Sequence, residues 1–285
     1  MQIRMPPGDC SLERPKTNGV TIRVIVLMAF WLAFAAGCAP RTGPFWAMVP
    51  EGSVCGDWSR IAEGPYILSN NVWGKCDREK TDCISRYDQC IHVGQGAKSD
   101  IFTWAWDWPS WQDDRVKASP GIVFGWKPWD RKSTTPKLPR KLSEVRHMTA
   151  SFDASVAASG VYNVALDMWI TSSPKPSPGR RTREIMIWLD DSHWDRRIEG
   201  DRVVIGGEEY DFHKGTVKNG GWTYIVFFKV SPKYKGTVPI HEFLQYLIKN
   251  RHVSRDEYLA SIEFMNEIVE GTGKAEVREY EIVVK

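Results

Sequence analysis

The sequence predicts an all-β fold, a sandwich of jelly-roll type with two antiparallel sheets and one α-helix. The first observation is a long series of short segments with alternating side-chain character between about residues 58 and 230. Turns rich in Gly, Pro, Asn and Asp separate these segments. The second observation is one amphipathic stretch at residues 239–250, after which strands resume. Many strands with one late helix favour a β-sandwich.

The strands are predicted from their period of two. Side chains alternate between the two faces of a strand, so alternating polar and apolar residues indicate a half-buried strand. The pattern predicts strands at residues 89–95, 101–108, 121–126, 149–157, 161–170, 183–190, 208–214, 222–230, 258–267 and 275–284. Before the last of them, Gly271-Thr272-Gly273 predicts a turn.

The single helix is predicted at residues 239–250. Its apolar residues recur at helical spacing and form one face, made of Ile240, Phe243, Leu244, Leu247 and Ile248. Pro239 suits the first turn, because its missing N–H would have no helical partner there.

Residues 1–37 are predicted to be a secretory signal. Basic residues precede an apolar run at residues 24–37, and this order is typical of export signals. The run is too short to span a membrane comfortably. The small residues before Cys38 resemble the end of a bacterial lipoprotein signal, so we expect Cys38 to be lipidated. An ordinary cleaved signal, with Cys38 as a bystander, is the alternative.

Residues 38–54 are then predicted to be a tether, and residues 55–285 one globular domain, which is long enough for a single large core. The net charge is +3. The signal accounts for +2 of it, because it carries four basic and two acidic residues: Arg4, Arg14, Lys16, Arg23, Asp9 and Glu13. The rest is close to neutral and has no basic stripe, which argues against a nucleic-acid partner. We expect an exported monomer that contacts a membrane only through a lipid anchor.

Four cysteines remain when the two N-terminal ones are set aside: Cys55, Cys76, Cys83 and Cys90. In an exported chain, four cysteines predict two disulfides, and three connectivities are open. Cys76 and Cys83 are too far apart for a CxxC knuckle, and only His92 is nearby as a further ligand. We therefore expect no metal site.

Glu184 is a lone carboxylate in an otherwise apolar predicted strand, on one face with Met186 and Trp188. Burying a carboxylate there is costly unless it has a partner or a task. On the preceding strand, Asp167 shares a face with Trp169. A hairpin between the two strands would let both carboxylates meet. The joining loop, residues 173–181, is basic and proline-rich; it could touch a ligand, but such loops are more often only solvated.

A third predicted strand places Glu263, Met265 and Glu267 on one face. Carboxylates and tryptophans on one sheet face are typical of a polysaccharide cleft, because indole rings pack on sugar rings. Two carboxylates that flank a glycosidic bond can hydrolyse it. The alternative is a structural pairing of the glutamates, with the fourteen tryptophans in the core. No GxSxG or HExxH motif is present and the six histidines lack ligand spacing, so we expect no cofactor.

Four motifs, in order, resemble glycoside hydrolase family 12, the jelly-roll endoglucanases. Asn70-Asn71-Val72-Trp73-Gly74 resembles the family's Asn-Asn-x-Trp-Gly strand. The segment around Asp167 resembles the strand whose carboxylate supports the nucleophile. The segment 184–189 is similar to the nucleophile motif almost letter for letter, and Glu267 occupies the place of the acid/base. The predicted helix also lies where the family has one.

The resemblance implies roles for these residues in a concave substrate cleft. Glu184 would be the nucleophile, Glu267 the acid/base, and Asp167 a carboxyl that hydrogen-bonds Glu184. The candidate substrate-binding residues are Asn71, Trp73, Trp106, Met186 and Trp188. Met265-Asn266 replaces the family's common Gly-Thr, and Glu263 is a rival acid on the same strand face. The resemblance also implies the disulfide Cys55–Cys90, with Cys76–Cys83 as an additional one.

These features together predict an exported retaining endo-β-1,4-glucanase that acts on cellulose or related β-glucans without a cofactor. One alternative is a xyloglucan-specific endo-β-1,4-glucanase. The other is a non-catalytic β-glucan-binding jelly roll. The residues alone do not separate cellulose, mixed-linkage glucan and xyloglucan, because tolerance for side chains on the polymer depends on loop geometry.

Overall fold

The computed structural model describes residues 43–285, except 78, 98, 112–113, 195–199 and 218–219. The predicted signal, its lipidation site Cys38 and the first part of the tether therefore lie outside the described residues. Within the described part of the chain, no helix combines the length and apolar character needed to cross a membrane.

The described chain is built mainly of strands. In chain order these are β1 (Arg60–Glu63), β2 (Tyr66–Ser69), β3 (Asp88–Gln95), β4 (Asp100–Trp108), β5 (Gly121–Gly125), β6 (Arg140–Lys141), β7 (Met148–Ala158), β8 (Val161–Thr171), β9 (Arg181–Ser192), β10 (Asp201–Ile205), β11 (Glu208–Thr216), β12 (Thr223–Lys229), β13 (Lys235–Val238), β14 (Tyr258–Met265) and β15 (Ile268–Val284). The helices are α1 (Pro44–Met48) and α2 (Ile240–Lys249), with 3-10 turns at Leu142–Glu144 and Pro178–Arg180.

The strands form the two sheets of a jelly-roll sandwich, as the sequence predicts. One sheet has the order β1-β2-β5-β14-β8-β9-β12-β11-β10, with β6 beside β14. The other contains β3, β4, β15, β7 and β13. Strand β15 connects them, since its first residues pair with β8 and the rest with β4 and β7.

The pairing of β9 with β12 departs from the predicted antiparallel pattern. These two strands are parallel, with Glu184 opposite Tyr224 and Trp188 opposite Phe228. The chain passes from β9 to the edge strand β10 and returns through the antiparallel pairs β10–β11 and β11–β12. Two reversals leave β12 running in the direction of β10. Because β10 runs in the same direction as β9, β12 is parallel to β9.

The core lies between the sheets. Side chains that enter it alternate along the strands with side chains on the opposite face, as predicted. On β9, Ile185, Ile187 and Leu189 enter the main core, whereas Met186 and Trp188 belong to a separate cluster on the opposite face. Helix α2 agrees with its predicted bounds to within a residue at each end. It buries Ile240, Phe243, Leu244 and Leu247.

Strand β15 is longer than predicted. It runs through Gly271-Thr272-Gly273, where the glycines predicted a turn. A Cβ at Gly271 would lie 2.0 Å from the carbonyl oxygen of Ser159, and one at Gly273 would lie 2.5 Å from Cζ2 of Trp106. These glycines therefore serve close packing within the sheet.

The described part of the predicted tether packs on the fold. Helix α1 buries Phe45 in a small cluster with Cys90 and Ala105. Val54 forms an isolated bridge with Ile91 of β3. Residues 43–54 are thus part of the folded unit.

Two disulfides join Cys55 to Cys90 and Cys76 to Cys83, the pairing that the family resemblance implies. Disulfides form and persist in oxidising compartments, so the protein is exported from the cytoplasm.

The two disulfides are expected to contribute unequally to stability. Cys55–Cys90 closes a loop with a sequence separation of 35 residues, and Cys76–Cys83 one of 7. From loop entropy, Cys55→Ser/Cys90→Ser should lower the free energy of unfolding by about 4 kcal/mol and Cys76→Ser/Cys83→Ser by about 2 kcal/mol. Urea denaturation of both double variants measures this. Equal losses, or a larger loss at Cys76–Cys83, would contradict the prediction.

Candidate active site

A pocket of about 760 Å³ lies on the face of the longer sheet that is turned away from the core. It is lined by Asp167, Glu184, Glu267 and Tyr224 together with seven tryptophans: Trp58, Trp73, Trp129, Trp169, Trp188, Trp194 and Trp222. The sheet therefore collects acidic and aromatic side chains on one surface, as the strand alternation predicts.

Strand register brings the carboxylates together. Across the β8–β9 pair, Asp167 lies opposite Met186 and Trp169 lies opposite Glu184. Asp167 and Glu184 are thus diagonal neighbours on one sheet face, within reach of each other's charge. On the other side of β8, Glu263 of β14 lies directly opposite Asp167.

Glu184 is held by an indole. The Nε1–H of Trp222 donates a hydrogen bond of 2.7 Å to Oε2 of Glu184. Burial raises the pKa of the Glu184 carboxyl to about 7, while this hydrogen bond and the positive charges of Lys127 and Arg181 act to lower it. The group can therefore change its charge near neutral pH.

Glu267 follows the end of β14 and is clamped by Asn163 of β8. Nδ2 of Asn163 donates to Oε2 of Glu267 at 2.6 Å, and Oδ1 of Asn163 accepts from the Glu267 backbone N–H at 2.7 Å. Burial, followed by the charge of Glu184, raises the pKa of Glu267 to about 8. Glu267 therefore keeps its proton at a higher pH than Glu184 does. Two neighbouring carboxyls with raised pKa values in one pocket are typical of a functional site.

Asp167 is almost fully buried and lines the pocket together with the two glutamates. The predicted hydrogen bond to Glu184 is absent from the described contacts, and Oδ1 of Asp167 has no partner among the described residues. Burial, then the charges of Glu184 and Glu263, raises the pKa of Asp167 well above its usual range. This favours the protonated carboxyl, which can donate a hydrogen bond to a neighbouring carboxylate.

Glu263, the rival acid, has a different environment. It is buried, does not line the pocket, and its Oε2 pairs with Nζ of the equally buried Lys127. Loss of either partner of a buried ion pair leaves an uncompensated charge, so this pairing favours a structural role for Glu263. The structure therefore distinguishes Glu263 from Glu267, which the shared strand face could not.

Asn71 and Trp73 both line the pocket. Oδ1 of Asn71 accepts a hydrogen bond of 3.1 Å from the Trp73 backbone N–H, and Nδ2 of Asn71 donates to Oγ of Ser119 at 2.9 Å. The Trp73 side chain is 54% exposed. Asn71 thus fixes the loop that presents an open indole face. Trp188 also lines the pocket, but it is almost fully buried and packs edge-on against Trp194.

Trp106 was wrongly predicted to bind substrate. It is fully buried in the main core, with Trp104 and Trp108 on the same side of β4. Gly273 lies opposite Trp106 on β15, and its missing side chain provides the space that the indole ring fills. Alternation gave the shared face of these tryptophans correctly, but that face is turned inward.

Met186 was also wrongly placed at the pocket surface. Its side chain points to the predicted face but is fully buried, and Tyr224 of the neighbouring β12 covers it. The Tyr224 hydroxyl donates to Sδ of Met186 at 3.2 Å. Burial, followed by the charges of Glu267 and Glu184, raises the pKa of Tyr224. Tyr224 thus lies opposite Glu184 in the sheet and close enough to both glutamates to be affected by their charges.

Three polar contacts of the site were missed by sequence reasoning: those of Asn163, Trp222 and Tyr224. Asn163 had a signal, because it shares a strand face with Asp167. Trp222 and Tyr224 had none, because the parallel pairing of β12 with β9 is not visible in the sequence. No set of three or more His, Cys, Asp or Glu side chains in the described residues is arranged to hold a metal ion.

A β-sandwich that carries two perturbed glutamates in a tryptophan-lined cleft is typical of a glycoside hydrolase. The chain belongs to glycosyl hydrolase family 12, whose family model matches residues 64–285.

Known proteins resemble the chain over most of its length. Endoglucanase S of Pectobacterium parmentieri is 32% identical over 228 residues, 77% of this chain and 82% of that protein. The xyloglucan-specific endo-beta-1,4-glucanase A of Aspergillus niger is 25% identical over 274 residues, 93% of this chain and 100% of that protein. A family 12 xyloglucanase from Bacillus licheniformis superposes with a TM-score of 0.72 at 27% identity, covering 82% of this chain and 99% of that chain.

Proposed function

We propose that this protein is a retaining endo-β-1,4-glucanase that cleaves internal bonds of β-glucan chains. The observation that carries the proposal is the pair Glu184 and Glu267, whose pKa values are raised to about 7 and about 8 in one tryptophan-lined pocket. The similarity to Endoglucanase S supports the same activity.

In the proposed mechanism, Glu184 attacks the anomeric carbon while Glu267 protonates the departing glycosidic oxygen. A covalent glycosyl-enzyme results. Glu267, now ionised, removes a proton from water, which attacks the same carbon and releases the sugar with its original configuration. Trp222 orients the attacking carboxylate, Asn163 orients the acid, and a protonated Asp167 steadies the charge on Glu184.

Exposed indole faces are the proposed sugar platforms. Trp58, Trp73 and Trp129 line the pocket and are 51%, 54% and 44% exposed. Rings of this kind pack on the apolar faces of pyranoses. The pocket is accordingly suited to an extended chain of neutral sugars.

The activity is expected to have a bell-shaped pH dependence. Glu184 must be ionised to attack, so kcat/KM should fall as pH drops through about 7. Glu267 must be protonated to act as an acid, so kcat/KM should also fall as pH rises through about 8. The two apparent pKa values of this profile belong to the interacting pair of glutamates and not to either residue alone. Initial rates on a soluble glucan across the pH range measure the profile, and a maximum below pH 5 would contradict it.

Xyloglucan is the second candidate substrate. The similarity to the Aspergillus niger and Bacillus licheniformis xyloglucan enzymes favours it. The deciding experiment compares new reducing ends from a cellulose derivative, mixed-linkage glucan and xyloglucan. Release from the first two supports the broader activity, and release from xyloglucan alone supports the specific one. Binding without any new reducing ends would support a non-catalytic glucan-binding protein.

We also propose that the exported protein is a monomer anchored through lipid on Cys38. The motive is the small-residue run that ends at this cysteine after the apolar segment. Cys38→Ser should release the protein from membranes of a bacterial host. Equal membrane association of both forms would contradict the anchor.

A further inference from the structure

The loop between β8 and β9, for which the sequence favoured a solvated role over contact with a ligand, ends inside the active-site pocket. Its last residue, Arg181, lines the pocket and opens β9, three residues before Glu184. Nε of Arg181 donates to the Pro178 carbonyl at 2.8 Å, and the Ser172 N–H donates to the Arg180 carbonyl at 2.9 Å. These bonds close the loop and hold one edge of the Arg181 guanidinium.

Arg181 packs against a group of tryptophans. Its guanidinium carbon lies 4.2 Å from the ring centroid of Trp222, 5.8 Å from that of Trp169 and 6.0 Å from that of Trp129. The shortest distance is that of a planar cation stacked on an indole face, an attraction strengthened by partial desolvation. Trp169 also meets Trp222 edge-on at 5.6 Å.

Trp222 makes one contact through the face of its ring and another through the edge. Its face carries the Arg181 guanidinium, and its edge donates the hydrogen bond to Oε2 of Glu184. The direction of that N–H depends on the plane of the ring. The contact that fixes the plane therefore also fixes the hydrogen bond that holds the carboxylate.

We propose that Arg181 is a positioning residue, which stacks on Trp222 and thereby aims the Trp222 indole N–H at the Glu184 carboxylate. The proposal deepens the proposed function, since it rests on Glu184 as the nucleophile. It assigns a task to a residue outside the four sequence motifs of the family resemblance.

The ionisation of Glu184 reports this role. Trp222 and Arg181 both act to lower the pKa of Glu184, against burial. The other charged or titratable groups that act on this site are Asp167 from β8, Glu263 from β14, Glu267 after β14, Tyr224 from β12 and Lys127 after β5. Loss of the stack should therefore shift the ionisation of Glu184 to higher pH.

The first test does not depend on catalysis. The Trp222 indole ¹H–¹⁵N resonance, assigned with Trp222→Phe, should titrate with a midpoint near 7. Glu184→Gln should abolish that titration. Arg181→Met should move the midpoint up by roughly half a unit or more, and Arg181→Lys should move it in the same direction by less. The matched control is Arg180→Met, which removes an exposed charge from the same loop and should leave the midpoint in place.

The second test asks whether Arg181 acts through Trp222. The acid limb of kcat/KM should move to higher pH in Arg181→Met and in Trp222→Phe, and the shift in the double variant should be smaller than the sum of the two single shifts. An unchanged midpoint in Arg181→Met would overturn the proposal. So would a full additional shift in the Trp222→Phe background, because Arg181 would then act by its charge alone. If the wild-type protein hydrolyses no glucan, the proposed function fails, while the indole titration still decides the role of Arg181.

Discussion

Glu184→Gln is expected to reduce hydrolysis of every β-glucan and aryl glycoside by about four orders of magnitude or more. An amide cannot form the covalent intermediate, and none of the other carboxyls shares the position of Glu184. Glu263 is paired with Lys127, and Glu267 is required as the acid. Reducing-end assays on a soluble glucan measure the loss. The matched control is Glu279→Gln, an exposed glutamate on β15, which should keep wild-type activity.

The Glu184→Gln variant should also be more stable than the wild type above neutral pH. Burial raises the pKa of Glu184 from its usual 4.5 to about 7, so folding the ionised form costs free energy. This cost is absent at pH values below 4.5, the pKa of Glu184 in the unfolded chain. It grows between pH 4.5 and about 7 and is complete above the pKa in the folded protein. At pH 8 the gain should be on the order of 3 kcal/mol. An inactive variant that is less stable at pH 8 would indicate damage to the fold and would contradict the stated environment of Glu184.

Glu267→Gln is expected to separate the two chemical steps. Hydrolysis of polymers should fall by about 10³-fold, because a sugar alkoxide leaves poorly without an acid. An aryl glycoside with a good leaving group needs no acid, so its first step should survive. The second step lacks its base, and the glycosyl-enzyme should accumulate. A burst of phenolate followed by slow turnover is the kinetic sign.

The accumulated species also identifies the nucleophile. Peptide mass spectrometry of Glu267→Gln after reaction should place the sugar on Glu184. Sugar on Asp167 or Glu263 would contradict the assignment of the nucleophile. Equal losses on polymers and on activated aryl glycosides would contradict the role of Glu267 as the acid.

The sequence predicted the carboxylates of the site because they depend on strand period. Alternation along β8 and β9 was enough to place Asp167 and Glu184 on one face, and the hairpin set their register. Alternation alone did not identify the acid/base residue. Glu263 and Glu267 share a predicted face, and their environments are distinguished by the buried Lys127 beside Glu263 and by the Asn163 hydrogen bonds to Glu267. Lys127 follows β5, which is far from β14 in sequence but adjacent to it in the sheet.

The tryptophans show which features the two-residue period of a strand cannot predict. It gave Trp104, Trp106 and Trp108 a common face but not the side of the sheet to which that face turns. For Trp106 the deciding feature is Gly273 on a neighbouring strand, which leaves room for an indole in the core. Trp222 and Tyr224 reach Glu184 through the parallel β9–β12 pair. A pairing between strands that are separated by two other strands has no local sequence signal.

The stereochemistry of the first product tests the central claim most directly. Glu184 and Glu267 are assigned as nucleophile and acid/base of a double displacement, which preserves the β configuration at the cleaved bond. ¹H NMR of a β-glucan oligosaccharide during hydrolysis by the wild-type protein should show the β anomer of the new reducing end first, with the α anomer appearing later by mutarotation. Initial appearance of the α anomer would contradict the covalent mechanism and the role of Glu184 within it.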